Sequence, residues 1–178
     1  MRPEWLTWLS VSTKTDSTKL DLDPYSGPVL LVILEQSCFM LLHSSCVAIK
    51  GRAILLAGAP GSGKSDLALR LMREGAELVA DDQTLLRCEE GQLIASPPPS
   101  IEGLIEIRHV GLVKMPFLPR ASVAFYVDLV SLDAELDRLP EPSFVFLLDQ
   151  RVQRLRLPAF AASTPAKIHA LLTYATVE

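Results

Sequence analysis

Ala53-Ile54-Leu55-Leu56-Ala57-Gly58-Ala59-Pro60-Gly61-Ser62-Gly63-Lys64-Ser65-Asp66-Leu67-Ala68-Leu69-Arg70-Leu71 is the stretch that decides how this chain folds. Its centre, Gly58 to Ser65, reads GAPGSGKS and fits G-x-x-x-x-G-K-[ST], the phosphate-binding P-loop pattern. Successive backbone N–H groups in such a loop form an anion nest, and the N-terminus of the following helix adds to it. Gly58, Ala59, Pro60, Gly61, Ser62, Gly63, Lys64 and Ser65 are therefore the candidate nucleotide-binding residues. Lys64 brings a positive charge to the outer phosphates, and the Ser65 hydroxyl is a hard oxygen suited to Mg2+. The pattern demands a strand before it and a helix after it. Arg52 to Ala57 is a short apolar run, read as a buried strand. Ser65 to Arg73 sets apolar residues at helical spacing, and Gly75 is a C-cap signal.

Outward from this core, Cys46 to Ile49 and Ala53 to Ala57 flank Lys50-Gly51, which predicts a hairpin. Glu77 to Ala80 reads as a strand with Asp81-Asp82 at its exit. Gln83 to Cys88 and Gln92 to Ala95 form a second strand pair, and Pro97 to Pro99 is a rigid extended connector. Ile107 to Val113 and Val123 to Val130 read as strands. Phe144 to Leu148 reads as a buried strand ending at Asp149, and the alternation of Arg151 to Leu157 as an edge strand. Ser163-Thr164-Pro165 opens a closing amphipathic helix to Tyr174, with Pro at the first helical position. Many hairpins and few helices predict an α/β fold with a mixed sheet, not an all-parallel doubly wound one. Three apolar runs end in an aspartate: at Asp81-Asp82, at Asp128 and at Asp149. From the residues alone, each is a candidate partner of the P-loop.

The 178 residues suit one domain with a proper core. Hydrophobic residues make up 49%, but no apolar stretch reaches the roughly 20 residues of a membrane span. Residues 1–39 read as an N-terminal tail, polar and rich in Ser, Thr and Asp up to about residue 27, with Trp5 and Trp8 available to pin it. Residues 40–178 read as one P-loop domain. The tail lacks the long apolar region of a signal peptide. A net charge of −4 without a Lys/Arg cluster argues against nucleic acid as a partner. Cys38, Cys46 and Cys88 have no metal-type spacing and read as reduced core thiols of a cytoplasmic protein.

Several ordered stretches together carry a resemblance. His43 stands fifteen residues before Gly58, the P-loop follows, and then comes Leu78-Val79-Ala80-Asp81-Asp82. Ile105-Glu106-Ile107-Arg108-His109-Val110-Gly111 fits L/I-E-I-R-x-x-G, and Asp137-Arg138-Leu139 follows later. Over about Leu41 to Leu157 the chain resembles the catalytic domain of the HPr kinase/phosphorylase family, bacterial enzymes that phosphorylate a serine of the phosphocarrier HPr. The short form is similar to alphaproteobacterial members.

The resemblance implies a P-loop α/β kinase domain similar to phosphoenolpyruvate carboxykinase, usually assembled as a hexamer. It implies ATP and Mg2+ as cofactors and an HPr-type phosphocarrier as partner, with neither nucleic acid nor membrane involved. Asp82 would accept the seryl proton, and Asp81 would orient it or hold a metal-bound water. Glu106 would be a second Mg2+ ligand beside Ser65. Arg108 would pair with Glu106 or touch phosphate. His43 would lie near Asp82 and share its proton, and Arg138 would neutralise transferred-phosphate charge. Among the aspartates the resemblance favours Asp81-Asp82. His109, where the family has Gly, reads as structural or exposed.

Other departures narrow the expectation. The separate N-terminal domain of the longer family members is not expected here, and the family's flexible loop reads as shortened to Pro116 to Arg120. Its P-V-R-P-G-R-N-type segment, tied to dephosphorylation, is replaced by Leu157 to Ser163, which has no arginine to hold phosphate. Kinase chemistry is thus expected over phosphorylase chemistry. The rival readings are a P-loop kinase of another small substrate and an ATP-binding regulator with little turnover.

Overall fold

The computed structural model describes residues 30–34 and 37–174, with side chains from residue 39 onward. Most of the predicted tail, including Trp5 and Trp8, lies outside the described residues, as does the side chain of Cys38. Strands β1 (Leu30–Leu34) and β2 (Ser37–Leu42) pair antiparallel. Strands β3 (Ser45–Ile49) and β4 (Arg52–Ala57) form the predicted hairpin. Both of its turn residues, Lys50 and Gly51, have positive φ, which the tightest hairpin turns require.

The P-loop leads from β4 into helix α1 (Lys64–Arg73). The helix stops where the sequence says it should. The Ala76 N–H donates to Leu71 O and the Gly75 N–H to Met72 O, each at 3.0 Å, with Gly75 at φ +99°. This is a Schellman end, and the left-handed residue it needs is the glycine. Next come β5 (Glu77–Ala80) and the pair β6 (Thr84–Glu89) and β7 (Gln92–Ser96). Then follow β8 (Leu104–Ile107), β9 (Gly111–Lys114), β10 (Ala121–Val130), β11 (Ser143–Leu147), β12 (Gln150–Pro158) and helix α2 (Thr164–Thr173).

Ten strands join one mixed sheet, and β8 and β9 form a separate ribbon. The main path runs β1-β2-β6-β7-β10-β4-β3-β5, and β12 adds to β10. Pairing is antiparallel except where β10 meets β4 and β12. Since β3 is antiparallel to both β4 and β5, the chain leaves β4, β5, β10 and β12 at one edge of the sheet. One sheet face buries Leu55, Tyr126 and Val152, while the other buries Ile54, Leu56 and Val127 against Leu67 and Leu71 of α1 and Ile168 of α2. The expected mixed sheet with two helices is what the chain forms.

Three local readings change. The run Ile107 to Val113 is not one strand: it holds the end of β8, the turn at residues 108–110 and most of β9. The Val110 N–H donates to Ile107 O at 2.9 Å, and His109 takes φ +65°. Its apolar residues hid a reversal that backbone conformation, not hydropathy, determines. The other two readings exchange places: β11 is the edge, and β12 lies between β10 and β11. Phe144 and Phe146 of β11 are exposed rather than buried. Two of the arginines of β12 have neighbours, with Arg151 stacked 3.6 Å from the Phe144 ring centroid and Arg154 ion-paired to Asp128. Charged positions in an interior strand need only partners, not an open edge.

Leu55 is fully buried in β4, immediately before the P-loop. Leu55→Ala is expected to lower the unfolding free energy by about 2–5 kcal/mol, because the cavity adds to the lost transfer energy. Urea denaturation followed by circular dichroism would measure it.

Candidate active site

The edge where β4, β5, β10 and β12 end carries the cleft. Two glycines shape the P-loop. Gly58 sits at φ +149°, and a Cβ there would lie 2.7 Å from Ser62 Oγ and 3.0 Å from Leu129 O. Gly63 sits at φ +93°, where a Cβ would meet the Phe160 ring at 2.8 Å and Ala159 Cβ at 2.9 Å. The Lys64 ammonium, buried at the start of α1, donates to Gly58 O at 3.1 Å and Ala59 O at 3.3 Å. Burial lowers its pKa below the ordinary lysine value, and the Asp82 and Asp81 carboxylates pull the other way.

Asp81 is 4% exposed. Its carboxylate gathers three donors from three separate elements. The Ser45 hydroxyl of β3 donates to Oδ1 at 2.6 Å, and the Ser65 hydroxyl of α1 donates to the same oxygen at 2.9 Å. The Glu106 backbone N–H of β8 donates to Oδ2 at 3.1 Å. Asp82, next in the chain, turns the other way. The Gln83 N–H donates to Asp81 O at 2.7 Å, and Asp82 between them has φ +64°. That is a γ-turn of the strained, positive-φ kind, a conformation found where function requires it. It leaves the Asp82 side chain 67% exposed, with His43 Nδ1 3.4 Å from Asp82 Oδ1.

His43, Pro60, Gly61, Gly63, Lys64, Ser65, Asp66, Leu69, Asp82, Glu106, Ile107, Arg108 and Phe160 line a cleft of about 380 Å3. The fold therefore brings together His43, the P-loop, the aspartate pair and Glu106, which lie far apart in sequence. Arg108 also lines the cleft, though no ion pair joins it to Glu106 among the described residues. His109 is exposed in the hairpin turn. Arg138 is exposed in the loop after β10 and does not line the cleft.

The two rival aspartates stand differently from the Asp81-Asp82 pair, and neither lines the cleft. Asp149 occupies the β11–β12 turn, at the opposite edge of the sheet from the P-loop. Asp128 is at the right edge but is held by Arg154. It also faces Tyr126, whose hydroxyl is pushed up to about 12, by burial first and then by the Asp128 charge and hydrogen bond.

Known proteins of similar sequence and fold place the chain in a family. The sequence model of the HPr Serine kinase C-terminal domain matches residues 36–168. The chain belongs to that family. The HPr kinase/phosphorylase of Geobacillus thermodenitrificans is 38% identical over 128 residues, covering 66% of this chain and 41% of the relative. That of Bacillus subtilis is 31% identical over 128 residues. The chain thus spans about two fifths of the length of these curated relatives. A solved structure, the Hpr(Ser) kinase/phosphatase from Coxiella burnetii, superposes with a TM-score of 0.66 at 27% identity, covering 74% of this chain and 93% of that one.

The donor set suits Mg2+. Ser65 and the carboxylates of Asp81, Asp82 and Glu106 are hard oxygens beside the phosphate loop. No group of three or more acidic, His or Cys residues makes a ready metal cage among the described residues. Mg2+ does not ask for one, since it takes one or two carboxylates with waters and substrate phosphates.

Sequence reasoning missed Ser45. Nothing in Ser44-Ser45 distinguishes the hydroxyl that reaches Asp81 from the one that bonds Thr84. It also valued Leu157 to Ser163 only for its missing arginines, although Phe160 there forms part of the cleft wall. Ser45→Ala is expected to cost about 1.5–3 kcal/mol of stability, the usual worth of a buried hydrogen bond to a charged group. Urea unfolding would read it, and Ser45→Thr should recover part of the loss.

Proposed function

We propose that this chain is an ATP- and Mg2+-dependent protein-serine kinase acting on an HPr-type phosphocarrier. The observation that carries the reading is the division of labour between adjacent carboxylates. Asp81 is buried and bound to the Ser65 hydroxyl, while Asp82 is exposed to the cleft beside His43. Family membership and the named activities of the relatives support the same reading.

Phosphoryl transfer asks mainly for positioning and charge neutralisation. The P-loop amides and Lys64 hold the β- and γ-phosphates. Bound Mg2+ would neutralise charge on those phosphates as the γ-phosphoryl leaves. Ser65, kept in orientation by Asp81, and Glu106 are the residues that would hold it. Asp82 takes the proton from the incoming serine hydroxyl, with His43 sharing that proton. The seryl oxygen bonds to the γ-phosphorus as the bond to the bridging oxygen breaks, and ADP departs. The protein works in the cytoplasm and assembles as a hexamer, with neither nucleic acid nor membrane as partner. Among the described residues, no helix is long and apolar enough to cross a membrane.

The phosphorylase reaction is proposed to be weak. The segment after β12 offers no arginine of its own, and its carbonyls at Ala159 and Ala161 instead engage Arg70 of α1. That guanidinium is committed to holding the segment rather than to inorganic phosphate.

Incubation with HPr and γ-labelled ATP should label a serine, and Asp82→Asn should cut the rate by about 100-fold or more, in the range of general-base losses. Intact protein that binds ATP but labels no HPr would sink the kinase reading. With serine-phosphorylated HPr and inorganic phosphate, little pyrophosphate is expected, and abundant pyrophosphate would contradict the reading of Leu157 to Ser163.

A further inference from the structure

We propose that Phe160 is the stacking platform for the base of a purine nucleoside triphosphate, so that this chain holds its nucleotide at two ends. The inference rests on the nucleotide reading above and extends it to a subsite that the P-loop does not supply.

The first observation is that Phe160 is exposed yet fixed. The residue is 59% exposed. The backbone around it is tied down on both sides. The Ala161 N–H donates to Pro158 O at 3.3 Å, and the Thr164 N–H to Ala161 O at 3.1 Å. The buried Thr164 hydroxyl donates to Pro158 O at 2.7 Å. The Arg70 guanidinium donates to the carbonyls of Ala159 and Ala161. Ala159 itself is fully buried against the α1 side of the core. A ring on such a frame loses little freedom when a ligand covers it, which favours binding.

The second observation is where the ring lies. It touches the P-loop at Gly63, so closely that a Cβ there would fall 2.8 Å from Cζ. It also lines the same cleft as Lys64, Ser65 and Asp82.

The third is direction. In the sheet, β5 stands on one side of β4, beyond β3, while β10 and then β12 stand on the other. Asp82 leaves the end of β5 and Phe160 follows the end of β12. A nucleotide whose terminal phosphate faces Asp82 therefore extends its other end across the loop toward Phe160. The His43 ring also lines the cleft, but it stands beside Asp82 at the phosphate end.

Stacking alone does not read hydrogen-bonding edges, because every base has a π-face. The platform therefore does not select a base by its edges, and it favours purines only through the larger face they stack.

The test separates the base from the phosphates. Binding of ATP and of inorganic tripolyphosphate, each with Mg2+, is measured by calorimetry on the full chain and on Phe160→Ala. The native chain is expected to bind ATP more tightly than tripolyphosphate. Phe160→Ala is expected to weaken ATP roughly tenfold, within the range of lost base–aromatic stacking, and to leave tripolyphosphate unchanged. Equal weakening of both would show that Phe160 only shapes the P-loop, and would overturn the proposal. Unchanged ATP affinity, or equal native affinity for the two ligands, would overturn it too. A native chain that binds neither would instead sink the phosphate-loop reading on which this one rests. Phe160→Trp guards against misfolding of the alanine variant. It should keep ATP affinity, and its added fluorescence should respond to ATP but not to tripolyphosphate.

Discussion

A buried carboxylate is among the more costly groups a protein can hold, and it is tolerated only where donors converge on it. Asp81 is such a group, and the three donors that meet it come from β3, α1 and β8. Each of these elements has its own place in the sheet or on its face. If any one shifts, Asp81 loses a partner and the site loses an alignment. Its geometry thus couples the P-loop serine, the strand after His43 and the ribbon that carries Glu106. The cleft depends on this convergence more than on any single motif.

The sheet supplies the rest of the arrangement. Parallel pairing of β10 with β4 and with β12 sends three chain exits to the edge where the P-loop begins, and β5 adds a fourth through β3. Open α/β sheets bind ligands at the carboxyl ends of their strands for this reason. The two sides of the P-loop then differ in chemistry. Toward β5 lie the carboxylates and His43, and toward β12 lies a segment without charged side chains, pinned by Arg70. At Asp82 a positive φ, a costly conformation for a residue with a side chain, accompanies an exposed side chain next to the buried one of Asp81.

The elements legible in advance were those whose signals are local. The β3–β4 hairpin followed from Lys50-Gly51, the Schellman end of α1 from Gly75, and the mixed sheet from the succession of hairpins. The misread elements were those whose burial depends on neighbours. Phe144 and Phe146 look like core residues, yet β11 is the outermost strand and their face is open. The arginines of β12 look like a solvated edge, yet Arg151 covers Phe144 and Arg154 meets Asp128. Hydropathy reports what a side chain prefers, not which strand lies beside it.

The same division holds for function. By itself, the sequence determined the phosphate loop, its lysine and serine, and the adjacent aspartates, because backbone conformation and side-chain chemistry there are set within a few residues. It did not choose on chemistry alone among three aspartate-ended strands. Tertiary structure separates them physically: Asp149 lies at the far edge of the sheet, Asp128 is held by Arg154, Asp81 is bonded to Ser65 of the loop, and Asp82 lines the cleft beside it. It alone brought Ser45 to Asp81 and Phe160 to Gly63, since contacts between residues far apart in the chain arise only when strand order and register are settled.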